Sequence, residues 1–183
     1  MLATVLLLAA LARPGGEGAG KVFLTVEEAL ALAFPECAIE RRTEVLSESE
    51  GARVEELAGT ELASRIVRPY VARKDGKLVG TAWFDAHRVR TKNEVLMLVV
   101  GPDQRLQRVE VLAFAEPLEY LPKASFYAQF RARRLERDLD LERDIRGVAG
   151  ATLSAEAATR AARRTLALQR VLGERPPPPT PTR

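Results

Sequence analysis

The chain is short of the residues on which several common kinds of site depend. It has one cysteine, Cys37, so no internal disulfide can form, and one histidine, His87, which excludes a metal site with several histidine ligands. No G-x-S-x-G sequence accompanies that histidine, so a hydrolase built on His87 ranks last among the functions considered. Aromatic residues make up 5% of the chain, too few to predict a base-stacking platform.

A surplus of charge of one sign is also lacking. The 28 basic side chains are interleaved with 25 acidic ones, which leaves a formal net charge of +3. A dedicated nucleic-acid protein normally concentrates positive charge on one face, so we expect no nucleic-acid partner. The length of 183 residues, with 46% hydrophobic and 29% charged residues, is typical of one ordinary globular domain.

The longest apolar run, residues 2–12, is too short to cross about 30 Å of hydrocarbon as a helix. It has the length of a signal-peptide core and ends in small residues, although no basic side chain precedes it. We therefore predict a signal peptide or short leader over residues 1–12 and an exported protein, in the periplasm or on the outer face of the cytoplasmic membrane. A buried N-terminal strand or helix is the alternative. At the other end, residues 173–183 form a proline-rich tail.

The next region, residues 21–65, is predicted to be helical and acidic. Thr25 and Glu28 form a capping-box sequence, and Pro35 ends the first helix after Phe34. A second helix is predicted over residues 52–63. Eight acidic residues against three arginines lie between positions 36 and 61, an acidic block most simply explained as a solvated face.

From residue 66 the pattern becomes that of strands. Residues 66–73 and 77–85 flank the turn sequence Lys74-Asp75-Gly76, and residues 94–100 and 105–114 flank a second turn at 101–104. A short helix is predicted at 125–131, and an amphipathic C-terminal helix is predicted at 154–172. We therefore predict an α+β fold for residues 66–172, in which an antiparallel sheet of hairpins is covered on one side by helices.

The start of the C-terminal helix carries the one sequence motif that suggests a binding site or a reaction. Gly150, Ala151, Thr152, Leu153 and Ser154 lead directly into the helix, whose first N–H groups suit a phosphate. The hydroxyl of Thr152 can cap the helix, hydrogen-bond a phosphate or be esterified by one. Taken alone, the same residues also suit an ordinary helix start with Thr152 or Ser154 as its cap.

The surrounding sequence resembles that of a known family. Gly-Ala-Thr-Leu-Ser before an alanine-rich helix is similar to the signature of the FMN-binding domain family, which includes flavin-carrying subunits of the Na+-pumping quinone reductase and of Rnf complexes. Upstream, a strand runs into residues 116–120, where the family has a proline-containing loop, and residues 126–130 resemble the following helix. The resemblance covers residues 71–172, and the family is exported.

The resemblance implies that FMN is attached through a phosphoester to Thr152 by a flavin transferase that uses FAD. The isoalloxazine ring would lie beside the 116–120 loop, where Tyr120 is a candidate to stack on it. His87 or Arg90 is predicted to lie near the phosphate, the ribityl chain or the N1 edge of the ring. The predicted FMN site therefore comprises Thr152, Ala151, Gly150, Ser154, Leu153, Glu116, Pro117, Leu118, Tyr120, His87 and Arg90.

Two positions depart from the family motif. Arg146 stands where the family has an acid, and Ala149 where it has Ser or Thr, so non-covalent FMN is an alternative to the phosphoester. The resulting prediction is an extracytoplasmic electron-transfer protein, an electron carrier or redox-complex subunit rather than a stand-alone enzyme. Its partners would be the flavin transferase and a redox protein or membrane electron-transport complex. The alternative is a flavin-free extracytoplasmic interaction module whose acidic block contacts a basic partner.

Overall fold

The computed structural model of the protein describes residues 20–175. The predicted leader at residues 1–12 and the prolines of the predicted tail lie outside this range. Among the described residues, no helix combines the length and apolar character needed to cross a membrane.

An antiparallel sheet of six strands forms the centre of the fold, in the spatial order β1-β8-β7-β6-β5-β2. A separate ribbon of two short strands, β3 and β4, lies outside it. The strands are β1 (Lys21–Val22), β2 (Ala38–Arg41), β3 (Glu44–Val45), β4 (Ile66–Val67), β5 (Tyr70–Lys74), β6 (Lys77–Arg88), β7 (Asn93–Val100) and β8 (Leu106–Phe114). The predicted α+β class, its hairpins and its long C-terminal helix are confirmed.

Both edges of the sheet come from the N-terminal part of the chain. β1 pairs with β8, placing Lys21 opposite Phe114, and β2 pairs with β5 over four residues. The predicted N-terminal region 21–65 and the predicted domain 66–172 therefore build one common sheet.

Helices cover both faces of this sheet, which corrects the prediction that only one side is covered. Along β7, Leu96 and Leu98 pack against α2 (Glu48–Ala58) and α4 (Thr152–Gly173), whereas Met97 packs against α1 (Val26–Ala33). All three side chains are fully buried. The unbroken apolar sequence of residues 95–100 in β7 is typical of a strand that is buried on both faces.

The two N-terminal helices begin at capping boxes. Thr25 and Glu28 form the predicted one, and Ser47 with Glu50 forms another that starts α2 four residues earlier than predicted. α2 ends at Gly59, whose φ of 69° is the left-handed conformation that glycine adopts easily. The short helix α3 (Ala124–Ala128) follows a 3-10 turn at Leu118–Tyr120.

The start of α4 also differs from the prediction. The helix begins at Thr152, and its N-cap is Ala151, which has no side chain able to accept a hydrogen bond. Neither Thr152 nor Ser154 acts as the cap. The first N–H groups of this 22-residue helix therefore have no side-chain partner.

Coverage of both faces can be tested with neighbouring residues of β7. We expect Leu98→Ala and Met97→Ala each to lower the free energy of unfolding by about 2–5 kcal/mol, because each leaves a cavity in a packed layer. Val45→Ala, at a side chain that is 63% exposed, is the control and should change it by less than about 0.5 kcal/mol. Urea unfolding measures all three. A Met97→Ala effect as small as that of the control would mean that the α1 face is open.

Candidate functional site

Three loops meet at the N-terminal end of α4 and enclose a cavity of about 220 Å³, here called the α4 hollow. One loop lies between β6 and β7, the second follows β8, and the third leads into α4. The lining residues are Arg90, Tyr120, Gly150, Ala151, Thr152, Leu153 and Ser154. Seven of the eleven residues predicted for the FMN site are thus brought together.

The Gly150–Thr152 segment turns sharply before the helix begins. Gly150 has a φ of 82°, which residues with a side chain rarely adopt, and space is open where its Cβ would lie. The glycine is therefore needed for its backbone conformation rather than for close approach of another group. The side chain of Thr152 is exposed at the first position of the helix, so that its hydroxyl is accessible.

Ser154 ties the helix to the loop after β8. Its hydroxyl is buried and donates a hydrogen bond of 2.6 Å to the carbonyl oxygen of Tyr120. The Arg90 guanidinium lies 4.9 Å from the centre of the Tyr120 ring, a cation–π contact. Arg90 forms no ion pair with any acid in the described part of the chain, so its charge at the rim of the hollow is not neutralised.

Glu116 holds the β6–β7 loop in place rather than lining the hollow. Its Oε1 accepts the N–H groups of Lys92 at 2.8 Å, Thr91 at 2.6 Å and Arg90 at 3.2 Å. These hydrogen bonds, led by those from Lys92 and Thr91, hold the pKa of Glu116 below its usual value. Of its neighbours, Pro117 and Leu118 do not line the hollow, and Leu118 is 49% exposed.

His87 lies elsewhere, in a largely buried series of hydrogen-bonded polar side chains under α4. Its Nδ1 is 2.9 Å from Asp85 Oδ1 and its Nε2 is 3.0 Å from Glu94 Oε2. Arg164 of α4 donates two hydrogen bonds of 2.8 Å to Asp85, and Tyr127 Oη donates one of 2.7 Å to Glu94. His87 lines a different cavity, shared with Arg164, so the structure does not bring it to Arg90 and Thr152.

Neighbouring carboxylates stabilise the charged form of His87. Burial opposes the imidazolium, but hydrogen bonds with Asp85 and then Glu94 outweigh burial and raise the pKa of His87 above its usual value. Burial similarly opposes ionisation of Asp85, but hydrogen bonds with His87 and Arg164 lower its pKa. Since both ring nitrogens of His87 are engaged, neither is free to act as a general base.

The sequence analysis missed the partners of His87. Glu94 is fully buried, and it begins a strand whose inward positions are otherwise filled by Leu96 and Leu98. An acid in the inward register of an apolar strand was the available signal, since such a group requires a buried partner. No sequence signal indicated Tyr127 or Arg164, which lie 33 and 79 residues away from the carboxylates they contact.

Within residues 20–175, no group of three or more histidine, cysteine or carboxylate side chains is placed to hold a metal ion. Comparisons with known proteins gave no match: no protein-family model matches the chain, and neither does any curated protein or solved structure. The α4 hollow is therefore interpreted from its own geometry.

The raised pKa of His87 has a consequence for stability. A histidine whose pKa is raised on folding stabilises the protein fully below its unfolded value of about 6.5, and this contribution is lost as the pH rises through the folded pKa. We expect the free energy of unfolding to fall over that interval in the wild type but not in His87→Gln. Cys37→Ala is the control. Because it leaves Asp85, His87 and Glu94 in place, the free energy of unfolding should fall with pH as it does in the wild type.

Because the chain has one histidine, a single imidazole proton signal in NMR reports the folded pKa directly. A midpoint above about 6.5 is expected. A midpoint at or below that value would show that burial outweighs the two carboxylates.

Proposed function

We propose that this protein binds FMN at the α4 hollow and transfers electrons outside the cytoplasm, with the FMN phosphate esterified to the Thr152 hydroxyl. One observation carries the proposal. The exposed hydroxyl of Thr152 stands at an uncapped helix N-terminus, beside the Arg90 guanidinium, which has no acidic partner among residues 20–175. Together these features provide a positively polarised site for a phosphate group.

The charge of a phosphodiester suits this site. The diester keeps one negative charge, which the first N–H groups of α4 and its macrodipole would stabilise. Arg90 adds a full positive charge and several N–H donors. The donors available at the hollow therefore fit the phosphate end of FMN.

Size limits how much of FMN the hollow holds. Its volume of about 220 Å³ lies below the roughly 300–1,000 Å³ usual for pockets that enclose a whole small molecule. The hollow would therefore hold the phosphate end, and the ring would lie at its rim, where Leu153 is 45% exposed. The Arg90 guanidinium already lies over one face of the Tyr120 ring. The role of Tyr120 would therefore be to hold that guanidinium in place.

Bound FMN would supply the electron-transfer chemistry, while the protein positions it. Attachment would proceed by transfer of the FMN phosphate from FAD to the Thr152 oxygen, with AMP leaving and the hydroxyl proton released. Besides the flavin transferase, the protein requires a redox partner protein or membrane electron-transport complex. This makes it an electron carrier or redox subunit in the proposal. If Arg146 and Ala149 prevent transferase recognition, the same hollow would bind the phosphate without a covalent bond.

The alternative, a flavin-free interaction module presenting its acidic block, has less support. Five of the block's carboxylates form ion pairs with basic residues of the chain itself, so they do not form an open acidic surface. These five are Glu36, Glu40, Glu44, Glu50 and Glu56.

Attachment is tested by the intact mass of the denatured protein, exported with and without a co-expressed flavin transferase. The wild type should gain the mass of one FMN less one water, because the FMN phosphoryl group transferred from FAD replaces the hydroxyl hydrogen of Thr152 while AMP leaves. Thr152→Ala removes the accepting oxygen and should show no gain. Thr43→Ala, at another exposed threonine far from the hollow, should gain the same mass as the wild type.

Two other results are informative. A yellow protein of unmodified mass that releases flavin on denaturation would support FMN binding and contradict the phosphoester to Thr152. A colourless protein of unmodified mass, despite an active transferase, would reject the flavin proposal and leave the interaction module.

A further inference from the structure

The loops around the α4 hollow carry a surplus of positive charge. These three loops, taken with the strand and helix residues that flank them as residues 88–92, 116–123 and 146–153, are here called the mouth loops. They carry five basic and two acidic residues, a net charge of +3. The basic residues are Arg88, Arg90, Lys92, Lys123 and Arg146, and the acids are Glu116 and Glu119.

Contacts between the mouth loops hold the three segments together. The Glu116 carboxylate accepts backbone N–H groups of the first loop, and Ser154, just after the third, donates to Tyr120 in the second. The acid that makes the first contact is itself buried, with 7% of its surface exposed.

This charge has no acidic partner inside the described structure. None of the five basic side chains forms an ion pair within residues 20–175, a property that they share with some basic residues elsewhere, such as Lys77 and Arg134. The surplus is therefore available to an anionic surface outside the protein.

Two exposed apolar side chains belong to the same loops as these cations. Leu118 and Leu153 are about half exposed, at 49% and 45%, and both belong to the mouth loops. Exposed leucines surrounded by lysine and arginine are typical of surfaces that rest on a lipid bilayer, where apolar groups enter the headgroup region and cations meet anionic headgroups.

The N-terminal chain enters the domain at the same end. β1 places Lys21 opposite Phe114, and Gly20 lies so close to Ala115 that no side chain fits at position 20. Ala115 directly precedes Glu116, so the apolar run of residues 2–12 is connected to the domain beside the mouth loops. An apolar segment joined to this end favours a lipid surface over an acidic protein as the partner.

We infer that the mouth loops bind an anionic lipid surface, through the five basic side chains together with Leu118 and Leu153. This interaction goes beyond the proposed function and does not require FMN. It would place the α4 hollow at the membrane surface, within reach of a redox carrier in the bilayer.

The test uses the full chain without flavin and two kinds of vesicle, phosphatidylcholine alone and an equal mixture with phosphatidylglycerol. We expect tighter binding to the mixed vesicles, measured by flotation, and weakening of that binding by salt. Lys92→Gln/Lys123→Gln should reduce binding to the mixed vesicles on the order of thirtyfold, from about 1 kcal/mol for each basic side chain near the surface.

The matched control is Lys77→Gln/Arg134→Gln, which removes the same charge from exposed residues without ion pairs at the opposite end of the sheet. Its binding should fall by less than about threefold, because lipid electrostatics decay within a Debye length. Circular dichroism and thermal unfolding confirm that both double variants fold like the wild type.

Equal losses in the two double variants would overturn the inference, because net charge rather than position would then control binding. Vesicle binding that depends neither on salt nor on phosphatidylglycerol would also overturn the inference, since insertion of the N-terminal apolar run would then account for the binding. If the vesicles do not bind but a small acidic flavodoxin shifts the amide NMR signals of the mouth loops, the surface serves a protein partner, and the lipid inference is wrong.

Discussion

The close contact between helix α4 and the sheet is the constraint on which the rest of the structure depends. The helix buries alanines in the layer that it shares with the sheet and α2, and since alanine has no atoms beyond Cβ, a neighbouring backbone can lie close to the helix. Larger side chains of the strands, including Trp83, Leu96 and Leu98, fill the layer between them. This contact fixes the first turn of α4, and with it the position of Thr152. The buried alanines are Ala155, Ala157, Ala158, Ala161 and Ala162.

The same contact encloses charged groups, which would be costly without partners. Positive and negative side chains therefore alternate in the hydrogen-bonded series that runs from Arg164 through Asp85 and His87 to Glu94. Tyr127 donates the last hydrogen bond, to Glu94. Trp83 adds a further link by donating its indole N–H to Gln169 of α4. These polar contacts fix the helix in one orientation on the sheet, which nonspecific apolar packing alone does less well.

Charge is arranged differently inside the molecule and at its surface. Beneath α4 the charges balance, as burial requires, whereas the mouth loops carry a positive surplus in contact with solvent. Basic and acidic residues are interleaved along the sequence, and from that pattern we expected no face on which positive charge gathers. Interleaving along a chain does not prevent clustering in space, because loops far apart in sequence meet at the α4 hollow.

The sequence alone determined what depends on near neighbours. The two hairpins, the Thr25 capping box and the long C-terminal helix all follow from turn residues, caps and periodicity within about a dozen positions. It also indicated the segment at residues 150–154, because these residues mark a helix start by themselves, whereas the loop at residues 116–120 was associated with that segment only through the family resemblance. Tertiary structure alone decided that helices cover both faces, that β1 and β2 close the sheet edges, and that His87 joins Glu94 and Tyr127 instead of Arg90. Those outcomes depend on contacts between residues far apart in sequence, and one chain's local pattern carries no record of which distant side chain will complete a buried hydrogen bond.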